Sequence, residues 1–471
     1  MSKKYSNLGV SGLNRGGGYV YEEFLPELRY PRAARIYKEM SDNDPVVGAI
    51  LFLCEMMIRG AKWRVKPASD LAADKEYAKF IEECMHDMDS SWASFITEVI
   101  AMFTYGFDFH EITYKIRRGP HSTSAKYRSK YDDGKIGWKD FGTRAQSTLK
   151  EWEFDEEGNV TAFIQWAPPD FKVVRIPINK GMLFRTRVHK NNPEGKSLLR
   201  NAYRPWYFKK RIEEIEAIGV ERDLAGLPVL TAPENVDIFD DTDPDMVKLR
   251  TVAEGIVEGV RNDATSGVLL SNGWEFKLAS TGGSRQFDTN AIITRYDYRI
   301  AMAILADIVI MGSESNGSYA LADIKYNMLS EALESLLFNI ADVINKQAVE
   351  PLCCLNGMHS KNGYPVIEPT HVKKPSVKEV ALILRTANLD INHDLKFHNF
   401  VRDICGLEAL TEEDFKKMYT DRADKENIQN THNKAQGIED PKVTTQNNNK
   451  YEDTVSNDFK MSDGHYTGGA N

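Results

Sequence analysis

The sequence predicts an α+β fold, in which a domain of short strands and helices is followed by long helices around a small mixed module. Three patterns lead to this prediction. Alternating apolar and polar runs, typical of strands, are concentrated before residue 190. Two long helical stretches enclose residues 227–280, where strand and helix patterns alternate. A further helix of about 30 residues follows a short polar loop near residue 315.

The first domain is expected to begin near residue 21, after a Gly- and Ser-rich N-terminus that predicts a flexible segment over residues 1–20. Helices are predicted over 31–60, Asp74–Met88 and Trp92–Tyr105, the last of which stops at Gly106. Strands are predicted at 62–67, 107–116, 150–155, 160–166 and 171–178.

Two long helices and the module between them form the middle of the chain. The first helix is predicted from Pro205 to Leu224, because proline is tolerated in the first turn of a helix. The second is predicted from Thr289 to Met311, with Gly312 as its stop. The module between them is predicted to contain strand Pro228–Thr231, helix Asp245–Arg261, and strands Gly267–Leu270 and Trp274–Leu278.

A short polar loop, residues 312–319, separates the second long helix from a third, which is predicted to run from Tyr319 to Val349 and to stop before Pro351. The loop has no apolar anchor for a core and no His, Cys or clustered acids for catalysis. Its short, polar composition therefore predicts a surface loop along which another molecule slides. Helices are then predicted at 376–387, 396–405 and 411–419, and the polar composition of residues 421–471 predicts a disordered tail.

Composition and charge limit the function classes. The chain has 471 residues, a net charge of −9 and a pI of about 5.7, which argues against duplex binding through a broad basic face. Five cysteines without a Cys-x-x-Cys pair predict a reducing compartment and no disulfide framework. The N-terminus has no signal-peptide pattern, and the apolar run Ile300–Met311 is too short to span a membrane.

Motifs for catalysis or cofactor binding are not found. The sequence contains no phosphate-binding loop, dinucleotide fingerprint or nucleophile elbow, so neither a cofactor nor a metal is expected. His110-Glu111 lacks the second histidine of a zinc helix. The acidic run Asp240–Asp245 lacks the glycine and the final glutamate of a calcium loop, which favours a solvated loop. The sequence therefore predicts a protein that is not an enzyme.

Charge is segregated along the chain. Residues 180–211 contain ten cations against Glu194 alone, and residues 115–150 contain ten cations against three acids. Residues 234–263 contain nine acids against three cations. Solvated faces would produce this pattern, and so would complementary surfaces that join one subunit to its neighbour or to another partner. Both interpretations remain open at this stage.

Three segments resemble portal proteins of tailed bacteriophages, and the Mu-type group most closely. DNDPVVGAILFLCEMMIRGAKWRVKPA (42–68) is similar to the helix and strand that open the wing of a portal. GKSLLRNAYRPWYFKK (195–210), followed by ERDLAGLPVL (221–230), resembles the passage through the stem into the clip. ADIVIMG and GSYALAD, within 306–323, resemble the second stem helix, the tunnel loop and the tunnel helix. The resemblance covers about residues 30–420.

The resemblance implies a portal fold with the regions of a ring-forming subunit. They are a flexible N-terminus (1–20), the wing (21–195), the first stem helix (196–225), the clip (226–284), the second stem helix (285–311), the tunnel loop (312–319), the tunnel helix (320–350), a return to the wing (351–375), small crown helices (376–420) and a disordered tail (421–471).

Such a subunit is expected to form a ring, generally of twelve copies, at one vertex of the capsid. The ring would be assembled in the bacterial cytoplasm and kept in the virion. Double-stranded DNA would pass through its channel during packaging and ejection. The packaging motor (large terminase) and later a head-tail adaptor would dock on the clip, the major capsid protein would contact the wing, and no membrane would be involved.

The resemblance and the charge pattern together select candidate residues. Expected to face the DNA channel are Gly312, Ser313, Glu314, Ser315, Asn316, Gly317, Ser318 and Lys325. Candidates for the interface between subunits are Arg200, Arg204, Lys209, Lys210, Arg211, Asp240, Asp241, Asp243 and Asp245.

Two other functions are compatible with the sequence. One is a monomeric head-assembly or scaffold-binding protein, which a single species of about 53 kDa in light scattering would indicate. The other is a metal-dependent nucleic-acid-processing enzyme, which would need two or more acids converging on a metal ion. Cleavage of DNA that depends on Mg²⁺ would indicate this second alternative.

Overall fold

The computed structural model describes residues 9–225, 227–259, 269–279, 288–306, 319–372, 395–404 and 410–417. The chain divides into two compact units, Met1–Lys373 and Lys374–Asn471. The helices of the first unit are α1 (Arg32–Asn43), α2 (Pro45–Arg59), α3 (Ala72–His86), α4 (Trp92–Val99), α5 (Ala101–Tyr105), α6 (Tyr203–Ala225), α7 (Pro244–Gly259), α8 (Thr289–Ala303), α9 (Tyr319–Ile344) and α10 (Glu350–Leu355).

Twelve strands accompany these helices in the part of the chain that the structure describes. They are β1 (Arg15–Gly16), β2 (Tyr19–Val20), β3 (Trp63–Lys66), β4 (Phe107–Ile116), β5 (Ile136–Thr143), β6 (Leu149–Phe154), β7 (Val160–Ala167), β8 (Lys172–Pro177), β9 (Gly181–Arg185), β10 (Leu227–Thr231), β11 (Glu275–Ala279) and β12 (Val366–Pro369).

Two antiparallel three-stranded sheets organise the first domain, with strand orders β5-β4-β9 and β6-β7-β8. Aromatic side chains join them. The ring of Phe109 on β4 stacks on that of Phe163 on β7 at 5.1 Å, and Trp152 on β6 meets Phe107 edge-on at 5.3 Å. Because these side chains are buried, the two sheets share one core cluster, which agrees with the predicted α+β class.

The junction of α1 and α2 is set by the Asp-Pro pair in DNDP. Asp44 is the N-cap of α2, and its Oδ1 accepts hydrogen bonds from the N–H groups of Val46 (2.9 Å) and Val47 (3.0 Å). Pro45 takes the first helical position, where its missing N–H costs nothing. The apolar face of α2 is buried at Ile50, Cys54 and other positions, so this helix is part of the main core.

The prediction of a flexible segment over residues 1–20 is wrong for its described part. Strands β1 and β2 pair as a small antiparallel hairpin, and Val20 is buried in the core shared by the two sheets. The N–H of Trp152 donates to the carbonyl oxygen of Gly18 at 2.8 Å, which ties the hairpin to β6. The turn between β1 and β2 is formed by Gly17 and Gly18, which both adopt left-handed conformations.

Helix α8 ends at Ala303 and not at Met311 as predicted. Leu305 adopts a left-handed conformation with φ 60°, and the N–H of Ala306 donates to the carbonyl oxygen of Ala301 at 2.9 Å. This bond closes a Schellman motif, and the fully buried Ala301 and Ala306 supply its apolar contact. The continued apolar pattern concealed the end of the helix, because packing and not a glycine imposes the turn.

The prediction that the third long helix stops before Pro351 is also wrong. A π-helical turn, Asn345–Val349, follows α9 and leads directly into α10, which contains Pro351 in its first turn. The N–H of Glu350 donates to the carbonyl oxygen of Asn345, five residues earlier. The wider turn accommodates the proline ring, which would otherwise clash with the carbonyl four residues before it.

Between α6 and α8 lies a small module of β10, α7 and β11, in the order predicted. Strands β10 and β11 are antiparallel, with Val229 opposite Lys277. The strand predicted at Gly267–Leu270 lies partly outside the described residues, and Leu269 and Leu270 are not in a strand. After α10, strand β12 pairs with β3, which returns the chain to the first domain.

The second unit is described only in two segments. Helix α11 (Leu395–Ile404) lies close to the prediction for 396–405, and residues 412–417 are helical within the predicted 411–419. The side-chain amide of Asn399 bonds both backbone groups of Leu410, which holds the two segments together. The predicted helix at 376–387 and the predicted disordered tail at 421–471 lie outside the described residues.

The backbone passes very close to itself at Gly106 in the first domain, and a substitution there tests this crossing. Gly106 ends α5 with φ 93°, and a Cβ there would lie 2.6 Å from the carbonyl oxygen of Glu194. We expect Gly106→Ala to destabilise the chain by the ~1–2 kcal/mol of a left-handed alanine plus about 1–3 kcal/mol of overpacking. Gly134→Ala is the control, because it has φ 69° and open space around its Cβ. Thermal unfolding by circular dichroism measures both, and equal midpoints would show that the crossing tolerates a methyl group.

Candidate functional site

The two long helices α6 and α8 form a packed pair that continues out of the first domain. At 1.5 Å per residue, the 23 residues of α6 span about 35 Å and the 15 residues of α8 about 22 Å. The rings of Phe208 on α6 and Tyr296 on α8 stack with centroids 6.4 Å apart. Thr289 Oγ1 donates to the carboxylate of Glu216 further along the pair. This pair contains most of the basic residues predicted to join subunits.

A buried lysine links the helix pair to the first domain. Lys209 on α6 is 2% exposed, and its Nζ lies 2.6 Å from Asp297 Oδ1 on α8 and 3.0 Å from Asp44 Oδ2 at the start of α2. Glu213, one turn further along α6, is 3.8 Å away. Asp44 therefore caps α2 with one oxygen and binds Lys209 with the other. Three elements meet at a single ammonium group.

The electrostatics of this cluster keep the lysine charged. Burial alone would lower the pKa of Lys209, but the hydrogen bonds and charges of Asp297 and Asp44 outweigh it and raise the pKa above its ordinary value. For the acid Glu213, burial has the opposite effect and raises the pKa, although the charge of Lys209 acts against that shift. The prediction that Lys209 forms part of an interface between subunits is wrong, because its charge is buried and neutralised within its own chain.

The other basic candidates are more accessible and have partners in the chain. Arg200 is half-buried and binds Glu23 through two nitrogens, the closer at 2.5 Å. The exposed Lys210 and Arg211 lie 2.5 Å from Glu39 and 3.4 Å from Glu214 respectively. The guanidinium of Arg204 lies over the Phe208 ring at 5.8 Å. Exposed ion pairs of this kind are weak and exchange readily, so these cations can still meet a neighbour.

The acidic candidates Asp240, Asp241 and Asp243 lie in the loop before α7, and Asp245 lies in the first turn of the helix. Asp241 lies 2.8 Å from Arg250, and Asp245 lies 3.0 Å from Lys248. Asp240 accepts hydrogen bonds from Thr242, and Asp243 accepts one from the N–H of Asp245 at 2.9 Å. Within the described part of the chain, no group of three or more His, Cys, Asp or Glu residues could hold a metal ion. The acidic turn is thus held by local hydrogen bonds and ion pairs.

Apolar side chains on the outer face of the helix pair were not selected from the sequence. On α6, Ile215 is 67% exposed and Ile218 is 50% exposed, and both fall on the same helical stripe as Tyr207. On α8, Met302 is 52% exposed. Met302 lies near the opposite end of the antiparallel pair, since Phe208 packs on Tyr296 and Glu216 meets Thr289 further along. Ile215 and Ile218 are neighbours on α6, and adjacent aliphatic side chains at this exposure are typical of an interaction surface. Tyr207, Ile215 and Ile218 are separated by eight and three residues, and this helical spacing was the signal available in the sequence.

The predicted channel residues are mostly outside the structural description. Gly312, Ser313, Glu314, Ser315, Asn316, Gly317 and Ser318 lie in the undescribed stretch 307–318, so the structure places none of them. Lys325 lies on α9, in its first two turns, and is half-buried. Near it, Ile324 and Met328 are 55% and 52% exposed. The start of α9 therefore carries a second accessible apolar surface.

The first domain contains a buried His–Asp pair, His110 and Asp108, whose placement does not suit catalysis. His110 Nε2 lies 2.5 Å from Asp108 Oδ2, and Asp108 Oδ1 accepts a hydrogen bond from Gln146. The side chains of His110 and Asp108 have no solvent-exposed surface, so no substrate can reach them. The charge of Asp108 raises the pKa of His110 against the effect of burial, as expected for a structural pair.

Comparison with known protein families shows to which family the chain belongs. The sequence model described as the portal protein of Mu bacteriophage matches residues 34–390, about three quarters of the chain. The chain belongs to this family of phage portal proteins. The match includes the first domain, the α6–α8 pair and the start of the second unit. A portal protein is a structural component of the head-to-tail connection of a virion, and this family assignment agrees with the resemblance in the sequence.

Solved structures similar to this chain include two chains of gene transfer agent particles and one phage portal protein. A chain from the neck of an empty gene transfer agent particle is 11% identical, with 85% of this chain and 98% of that chain covered and a TM-score of 0.49. A chain from the native gene transfer agent virion is 11% identical over 81% and 95%, with a TM-score of 0.47. An HK97-family phage portal protein from Corynebacterium diphtheriae is 15% identical over 72% and 93%, with a TM-score of 0.37.

Across the residues that the structure describes, no helix combines the length and the apolar content that a membrane span requires. The long helices of the α6–α8 pair instead carry charged residues, such as Glu213 and Glu214, beside the exposed isoleucines.

Proposed function

We propose that this portal-family chain assembles into a closed ring, with twelve copies, at one vertex of a phage capsid. The observation that carries the proposal is the exposed apolar pair Ile215 and Ile218, one turn apart on α6 of the α6–α8 pair. A ring of identical chains needs a heterologous interface, in which one face binds a different face of the next copy. The helix pair offers one such face, and the basic Arg204, Lys210 and Arg211 beside it supply charge for the contact.

The proposed path of double-stranded DNA is the channel of this ring. A channel that lets DNA slide must not bind phosphates tightly, because each Lys or Arg contact adds affinity through counterion release. The net charge of −9 agrees with that requirement. The loop Gly312–Ser318 has hydroxyl and amide groups and one carboxylate but no cation, which suits transient contact with passing DNA.

Partners are assigned to the regions by the same proposal. The module formed by β10, α7 and β11, within residues 226–284, would bind the packaging motor (large terminase) during filling and a head-tail adaptor afterwards. The first domain, residues 21–195, would contact the major capsid protein. The acidic loop Asp240–Asp245 is exposed on the module and offers a charged surface for the first of these contacts.

The ring is tested by measuring the purified chain. Light scattering should give a mass that is a whole multiple of 53.4 kDa, near twelve copies, and negative-stain images along the axis should show a central hole. A species of one copy under all conditions would favour the monomeric head-assembly protein. DNA cleavage that requires Mg²⁺ would favour the nucleic-acid-processing enzyme.

The channel loop has a test of its own. Replacing Glu314, Ser315 and Asn316 with lysine should leave ring assembly intact but add phosphate contacts, each contributing roughly 0.9 to the slope of log K against log salt. DNA binding at several salt concentrations measures that slope, and phage yield measures packaging. Replacing the same three residues with glutamine is the matched control. If lysine and glutamine variants bind DNA equally, the loop does not face the DNA.

A further inference from the structure

A basic arm on the first domain is not used by the proposed ring or channel. The arm consists of residues 117–135, which connect β4 to β5, and it contains six Lys or Arg residues against Asp132 and Asp133. It is the centre of the basic segment 115–150 that the sequence singles out. Its four outer cations are exposed: Arg118, Lys126, Arg128 and Lys130.

The base of the arm is held by buried charged groups. The carboxylate of Asp87 accepts hydrogen bonds from Ser129 Oγ (2.6 Å) and the N–H of Lys130 (2.7 Å), and Lys115 Nζ lies 3.2 Å from it. Arg117, only 1% exposed, binds Asp133 at 3.0 Å and Glu83 at 2.8 Å. These contacts fix both ends of the arm to the domain.

Backbone hydrogen bonds order the arm beyond its base. The N–H of Arg117 donates to the carbonyl oxygen of Lys135 at 2.9 Å, and the N–H of Gly119 donates to that of Tyr131 at 2.9 Å. The arm is thus an extension of the β4–β5 hairpin. Cations placed on an ordered hairpin lose less conformational entropy on binding than cations on a free chain.

The outer cations are directed outward without acidic partners. Arg118 and Lys126 lie over the ring of Tyr127, at 4.9 Å and 5.8 Å from its centroid, and Lys130 Nζ donates to the carbonyl oxygen of His86. Within the described residues, none of the four outer cations forms an ion pair with a carboxylate. Asp132 and Asp133 are both exposed, but Asp133 pairs with Arg117 at the base of the arm. Asp132 therefore remains against the four outer cations, and three positive charges are in excess.

The absence of an apolar anchor indicates the kind of partner. A stable protein interface has a desolvated core of aromatic or aliphatic side chains, and no large apolar side chain of the described arm is strongly exposed. Phosphate contacts need only cations, hydroxyls and backbone N–H groups. The arm offers all three, since the exposed Thr123 lies among its cations.

We propose that the arm, through Arg118, Lys126, Arg128 and Lys130, binds the phosphate backbone of duplex DNA outside the channel. This site goes beyond the proposed function and does not depend on the tunnel loop. A few phosphate contacts give weak binding that falls steeply with salt, in the range of roughly 10⁻⁴–10⁻⁶ M for one copy. In a ring, many arms act on one DNA molecule and the avidity is correspondingly higher.

Closed circular duplex DNA tests this site. A closed circle cannot thread the channel of an assembled ring, so binding to preassembled protein reports the outer surface. The variant carries Lys126→Gln and Arg128→Gln, whose side chains are exposed and make no contact with the buried base. We expect the slope of log K against log salt to fall by about 1.8 and the affinity at 50 mM salt to fall at least about tenfold.

The control removes two cations elsewhere, Lys75→Gln and Lys172→Gln, whose side chains are 57% and 77% exposed. The proposal holds only if the control keeps the wild-type slope. It is overturned if the wild type does not bind the circle, if both variants lose equal slope, or if neither does. It is also overturned if the arm variant loses binding to polyglutamate but keeps DNA, which would indicate an acidic protein. Light scattering of each variant separates this outcome from a failure of ring assembly.

Discussion

Replacing Ile215 with glutamate is expected to prevent ring assembly while the chain stays folded. Ile215 is 67% exposed in the single chain, so its replacement removes little from the core and should change stability by less than about 0.5 kcal/mol. In a ring, the same side chain would be buried against the next copy. Each interface would then lose roughly 1.5–3 kcal/mol of apolar burial and would have to accommodate an unpaired carboxylate. Because the loss recurs at every interface, the ring population should fall below detection.

Ala217→Glu is the matched control for this experiment. Ala217 is exposed on the same helix but faces away from the stripe of Ile215 and Ile218. It should therefore assemble like the wild type. Light scattering and negative-stain images measure assembly, and circular dichroism verifies the fold. Rings of normal mass from the Ile215→Glu variant would show that the outer face of α6 does not join the subunits.

Replacing Lys209 with methionine is expected to unfold the junction between the helix pair and the first domain. The substitution keeps the length of the side chain but leaves Asp44 and Asp297 facing each other without the ammonium group between them. Breaking a buried ion pair by removing one partner costs about 3–5 kcal/mol. Asp44 also caps α2, so the disturbance should extend into the first domain.

Lys210→Met on the same helix is the control, because Lys210 is 45% exposed and pairs with Glu39 on the surface. It should cost less than about 1 kcal/mol. Thermal unfolding measures both variants. Adding Asp297→Asn to Lys209→Met should restore part of the lost stability, since it removes one of the uncompensated charges. If Lys209→Met and Lys210→Met melt at the same temperature, the buried cluster does not stabilise the junction.

Local patterns predicted many of the elements correctly. Strand β4 covers the predicted residues 107–116, because its alternation and its aromatic and β-branched residues favour a strand in any context. Strands β5 and β9 were not predicted. Strand β5 contains Gly137, Asp140 and Gly142, which disfavour a strand, and its pairing with β4 imposes the extended conformation.

The interface prediction shows a limit of a different kind. Lys209, Lys210 and Arg211 are consecutive, and the sequence groups them as one basic surface. On a helix, successive side chains point about 100° apart, so the three cannot share a face. Lys209 points into the junction, while Lys210 and Arg211 stay exposed. Residues outside the charge clusters, above all Ile215 and Ile218, were passed over, because exposure of an apolar side chain becomes visible only once the helix is packed.

The sequence by itself determined the α+β class, the positions of many of the helices and strands, the lack of catalytic motifs and the similarity to phage portals. These properties follow from residue type and spacing, which act over a few residues. Only the tertiary structure decided where α8 ends, how the chain passes Pro351, which lysine is buried and which isoleucines are exposed. Those outcomes depend on which segments pack against each other. Burial is a property of that packing and not of the residue.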